Sequence, residues 1–134
     1  MPSSEEISLT KMSLMRGLLE NPDFFDEFYD SFFESSPVIP EMFKNTDFRK
    51  QKDLLREGIE IMILYADGTE SGKERLKKIA VIHKKMKLTP GLYDFWRDTL
   101  IDTLAKNDPE FSEEHRTAWV AVLNNGIDFF IEFA

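Results

Sequence analysis

The side chains able to do chemistry are few in this 134-residue chain. Two histidines, His83 and His115, and no cysteine exclude disulfides, thiolate zinc sites, iron–sulfur clusters, cysteine nucleophiles and any reaction needing several imidazoles. His83 stands out. It follows Leu76 by seven residues and Ile79 by four within a lysine-rich segment, so helical geometry places it on an apolar face. His115 reads as a surface residue near the start of the last helix.

Other polar groups support less. There is no Gly-rich phosphate loop, nucleophile elbow or paired-histidine helix. Asp26, Glu27, Asp30 and Glu34 alternate with a phenylalanine face and read as its solvated side. Lys73, Lys77, Lys78, Lys84 and Lys85 read as a solvated basic face with acid partners such as Glu74. Asp67, Thr69, Ser71 and Gly72 have the spacing of a calcium loop, but position twelve is Lys78, where a bidentate glutamate is required. With 25 acidic and 17 basic residues the net charge is −8, which disfavours nucleic acid and anionic membranes as partners. The polar start, Met1 to Glu6, lacks a signal pattern. The longest apolar run, 61–66, is far short of the roughly 20 residues needed to span a bilayer. These features point to one cytoplasmic domain over residues 1–134.

The elements that must position His83 are helices. Asn21-Pro22, Ser36-Pro37, Thr89-Pro90 and Asp108-Pro109 each pair a capping residue with proline, whose fixed φ suits a first helical turn. Apolar residues then recur at three and four: Phe24, Phe25, Phe28, Phe32; Phe48, Leu55, Ile59, Met62; Leu76, Ile79, Ala80, His83. Only four valines and no clear alternation argue against strands. The spacing predicts helices over 6–20, 22–35, 46–66, 73–85, 90–106 and 110–132, with a short helical turn at 37–43. It also predicts a flexible loop over Asp67–Gly72 and a weak spot at Asn124-Asn125-Gly126.

His83 on such a face is either a hydrogen-bonded core residue or the one axial ligand of a haem, where the porphyrin supplies the other four nitrogens. The second needs an aromatic-rich pocket, and twelve phenylalanines, three tyrosines and two tryptophans are available. The order of segments adds to this. Phe28 to Pro37 leads into Pro40-Glu41-Met42-Phe43; Gln51 to Leu55, Leu76 to His83, and Leu92 to Trp96 follow; Ala118-Trp119 opens the helix carrying Phe129-Phe130-Ile131. Over nearly its whole length the chain resembles the bacterial single-domain globins and the haem domains of flavohaemoglobins.

The resemblance implies an all-α globin fold of six main helices and a short third helical turn around a haem pocket. It implies haem b with His83 as metal ligand, Phe43 stacking on the porphyrin, and Tyr29 and Gln51 as distal donors to a gas ligand. Leu55 would line the pocket, with Ile79, Leu88, Tyr93, Trp96, Ile127 and Phe130 as further wall residues. Arg49, Lys52 or Lys84 would meet the propionates. It departs from relatives that place a glutamate late in the last helix, in line with a tyrosine that Tyr93 matches. Here the nearest acid is Glu132, two places early, and the matching place is Ala134. The expected function is reversible binding of dioxygen, nitric oxide or carbon monoxide by a monomer or homodimer. The alternatives are nitric-oxide dioxygenation or peroxide chemistry with a separate reductase, and sensing through a protein partner.

Overall fold

The computed structural model describes residues 1–133; Ala134 lies outside them. Seven helices, and no strand among the described residues, follow one another: α1 Ser4–Glu20, α2 Phe24–Ser35, α3 Val38–Met42, α4 Phe48–Ala66, α5 Glu70–Met86, α6 Pro90–Asn107 and α7 Glu113–Phe133. Helix α4 packs on α5 and α7, α1 on α7 and α6, and α2 on α6. The periodic phenylalanines explain α2: Phe24 and Phe28 are fully buried and Phe32 nearly so, while Phe25 packs at the core's edge. Trp119, Val122 and Leu123 of α7 fill the centre with Leu100 and Leu104 of α6.

Helix starts depend on side-chain oxygens more than on the prolines. Ser3 and Glu6 form a reciprocal capping box, so α1 begins two residues before the expected start. Asp47 caps α4 through the Arg49 N–H. Thr89-Pro90 opens α6 as the sequence suggests. Asn21-Pro22 instead forms a turn whose Asn21 side chain accepts from the Asp23 N–H, and α2 starts at Phe24. Ser36-Pro37 leads into α3 at Val38. Asp108-Pro109 does not open α7. The Asp108 carboxylate is held by Arg16 and the Glu110 N–H, which delays α7 to Glu113.

Of two expected breaks, the first is shorter than Asp67–Gly72 and the second is helical. The loop after Asp67 is short because Thr69 caps α5 by accepting from the Gly72 N–H, so the helix starts at Glu70. A Cβ on Gly72 would lie 2.7 Å from Leu64 C and Tyr65 N; the glycine lets α5 cross α4 at backbone contact. Helix α7 runs unbroken through Asn124-Asn125-Gly126. There a Cβ on Gly126 would come within 2.9 Å of Met62 Cγ. Both glycines set close helix approach, and α5 and the end of α7 thereby converge on the same side of α4.

Candidate functional site

That convergence leaves a cavity of about 680 Å³ among α2 to α7, within the range of roughly 300–1,000 Å³ common for cofactor sites. Its wall is mainly apolar and aromatic. Helix α4 contributes Gln51, Leu54, Leu55, Gly58, Ile61 and Met62; α5 contributes Arg75, Lys78, Ile79, Ile82, His83 and Met86. Tyr29 and Phe32 come from α2, Phe43 from the corner after α3, Leu88 from before α6, Tyr93 and Trp96 from α6, and Phe130 from α7.

One group of side chains surrounds His83. Its ring lies edge-on to Phe130 at 4.9 Å, and Tyr93 Oη is 3.4 Å from Nδ1. Tyr93 in turn stacks on Phe130 at 5.8 Å. Burial lowers the His83 pKa from its ordinary value and raises that of Tyr93, because removing water disfavours each charged form. His83 is therefore a neutral imidazole near pH 7, with a ring nitrogen capable of ligating a metal.

A second group surrounds Tyr29, which is buried on α2. Its ring contacts Phe28 at 5.1 Å, Phe48 at 5.4 Å, Phe33 at 5.7 Å and Phe43 at 5.9 Å, mostly edge to face. Burial raises the Tyr29 pKa, and hydrogen bonding with Gln51 opposes part of the rise. A protonated hydroxyl and a side-chain amide thus share an aromatic enclosure. No aromatic contact among the described residues joins this group to that of His83.

The globin family model matches residues 26–129. The chain is a globin. Its structure is also similar to a crystal structure of a Pseudomonas aeruginosa PAO1 protein described as structurally highly homologous to a human haemoglobin, at TM-score 0.88 and 34% identity, covering 96% of this chain and 97% of that one. The curated protein sequences contain no match to it. The globin family typically binds haem and gaseous ligands.

Against this globin frame, the cavity wall contains Tyr29, Phe43, Gln51, Leu55, Ile79, His83, Leu88, Tyr93, Trp96 and Phe130 together. Ile127 is elsewhere, buried in the core. Arg49 and Lys52 do not line the cavity, Lys52 being paired with Asp26 at 2.8 Å, and Lys84 lies over the Phe133 ring at 5.8 Å. Arg75 and Lys78 line it instead. Helical spacing signals this pair, since Arg75, Ile79, His83 and Lys78, Ile82, Met86 are two rows at four-residue steps. His115 is not free on the surface: its Nε2 is 3.1 Å from Arg16 Nη2 and its Nδ1 is 2.8 Å from Ser112 Oγ.

The donor set fits a haem. A mainly apolar, aromatic-walled cavity carries the His83 imidazole, the exposed cations Arg75 and Lys78 with the exposed Glu57 carboxylate at its mouth, the hydroxyls of Tyr29, Thr46 and Tyr93, and the Gln51 amide. Among the described residues, no three His, Asp or Glu side chains form a cluster able to hold a metal ion by themselves. No described helix is long and apolar enough to cross a membrane.

Proposed function

We propose that this globin binds one haem b in the cavity, with His83 as its axial ligand, and takes up dioxygen or another diatomic gas reversibly. The observation that carries the proposal is the half-buried His83 imidazole on the wall of a large, mainly apolar cavity, edge-on to Phe130 and beside Tyr93 Oη. When bound, haem supplies the iron at which the gas coordinates. The chain's residues do the rest. Tyr93 Oη, near His83 Nδ1, accepts from the Nδ1–H and leaves Nε2 as the ligating nitrogen. Phe43, Leu55, Ile79, Leu88 and Trp96 exclude water from the porphyrin faces. Arg75 and Lys78, exposed on the cavity wall, would pair with the carboxylates of haem. Tyr29 and Gln51 donate to a ligand that gains negative charge on binding.

Titration of the purified chain with haem tests this. The expected result is a one-to-one complex whose ferrous form gives dioxygen- and carbon monoxide-dependent Soret shifts. His83→Ala should abolish those spectra, and added imidazole should restore axial ligation. An unchanged Soret band and gas affinity in His83→Ala would remove the axial role of His83.

A further inference from the structure

Helix α5 has a second face that meets the cavity only along Lys78 and Ile82. Residues 70–87 hold seven lysines and arginines against two glutamates, a net charge of +5 in a chain whose total is −8. All seven cations are exposed, and among the described residues none of them forms an ion pair. Their arrangement is regular. Lys77, Val81 and Lys84 form one row at steps of four and three; Lys78, Ile82 and Lys85 form the next. Val81 and Ile82 are 39% and 59% exposed, so an apolar centre sits within a ring of lysines. Apolar centres with charged rims are the anatomy of protein interfaces. Ile82 also lines the cavity, as do the exposed Leu54 and Met86, so this surface continues into the cavity mouth.

We propose that this face docks an acidic one-electron donor protein that delivers electrons to the iron. The inference rests on the haem reading above, since only a bound redox centre gives that donor a purpose here. Charge complementarity selects the partner: the lysines attract an acidic face, and the excess negative charge of the rest of the chain turns away approaches to other sides. A flat anionic bilayer fits less well, because it would also meet the exposed Asp53 and Glu60 of the adjacent α4, whereas Glu57, at the cavity mouth, faces either partner. In the transfer the donor loses one electron and ferric iron becomes ferrous, with no bond formed or broken. The small, steered contact suits a transient redox encounter.

The test is stopped-flow reduction of the ferric haem-loaded chain by reduced flavodoxin, an acidic one-electron flavoprotein. Its rate constant should fall tenfold or more between 20 and 500 mM salt, on the order expected for steered association. Lys77→Glu with Lys84→Glu should slow it about fivefold or more at low salt. Val81→Ser, which leaves the charge alone, should weaken docking at every salt concentration. The equal reversal Lys11→Glu with Lys106→Glu should change little, and photoreduced lumiflavin, small and uncharged, should reduce every variant at the same rate. A flavodoxin rate indifferent to salt and to the α5 reversal would overturn the proposal. So would lysine-dependent sedimentation with phosphatidylglycerol vesicles in the absence of flavodoxin binding. Calorimetric titration with oxidised flavodoxin separates the two readings. Binding by a chain that takes up no haem sinks the haem reading and the electron-delivery role together, leaving a docking face alone. Haem uptake without flavodoxin binding sinks the docking inference alone.

Discussion

Tyr29→Phe isolates a single hydroxyl. The ring sits among Phe28, Phe33, Phe43 and Phe48 at 5.1–5.9 Å, and phenylalanine fills the same enclosure, so buried area is conserved. In the free protein the hydroxyl and the Gln51 side chain both line the cavity, and losing one neutral hydrogen bond costs about 0.5–1.5 kcal/mol net. Folding should therefore weaken by no more than about 1.5 kcal/mol. Toward a ligand that acquires charge the same donor is worth about 1.5–3 kcal/mol, which converts to roughly a 10- to 150-fold faster dioxygen dissociation. Carbon monoxide, a poor hydrogen-bond acceptor, should shift only a few-fold. Because Tyr29 and Gln51 line the same cavity and would donate to the same ligand, Gln51→Leu should be non-additive with it, with a coupling of about 0.5 kcal/mol or more. Stopped-flow displacement of dioxygen and of carbon monoxide from both single variants and the double variant measures all of this. A dioxygen rate within twofold of the parent, or an equal change for both gases, would refute the distal role.

Gly72→Ala should destabilise the fold by about 1–3 kcal/mol in urea unfolding, because its Cβ meets α4 backbone that has no side chain to move. Gly126→Ala should cost less than Gly72→Ala in the same assay, since the flexible Met62 side chain can shift. The buried Asp108 is pushed up by desolvation, but its paired hydrogen bonds with Arg16 and the Glu110 N–H bring its pKa below the ordinary 3.8. Its contribution is thus full above about pH 4 and is lost as pH falls through the lowered folded value; Arg16→Ala should remove about 1.5–3 kcal/mol at pH 7 and flatten that acid dependence. His83, also lowered in the fold, binds its proton more readily when unfolded, so it adds stability above about pH 6.5 that is lost as pH drops through the folded value. Axial ligation should accordingly persist below about pH 6.5 in an acid titration followed at the Soret band.

Helices were legible where apolar periodicity acted alone. Phe24, Phe28 and Phe32 announce α2, and Leu76, Ala80 and His83 announce the buried side of α5, because burial enforces the three-and-four spacing. Ends and breaks were less legible, since they depend on partners distant in sequence. Asp108 has the form of a helix cap but is held by Arg16, 92 residues earlier. Asn124-Asn125-Gly126 has the form of a turn, yet Arg97 donates to Asn124 at 3.0 Å and Gly126 admits Met62. Gly72 has the form of loop punctuation, and its bare Cα is what α4 requires. In each case local chemistry competes with a tertiary contact, and the contact decides.

The site follows the same rule in reverse. His83 was legible because an imidazole on an apolar stripe is costly unless something uses it, and Tyr93 and Phe130 now account for only part of that environment. The cations were legible only through helical phase, since charge alone does not say which way a side chain faces. Lys84 was as good a candidate as Lys78 by composition, but one residue of phase on a 3.6-residue helix separates a cavity-facing position from one over Phe133. The same phase rule gives α5 two functions on one helix. Its row through Arg75, Ile79 and His83 faces the cavity, and its row through Lys77, Val81 and Lys84 faces solvent. A donor bound to the second row would therefore stand one helix thickness, about 10 Å, from the imidazole of the first.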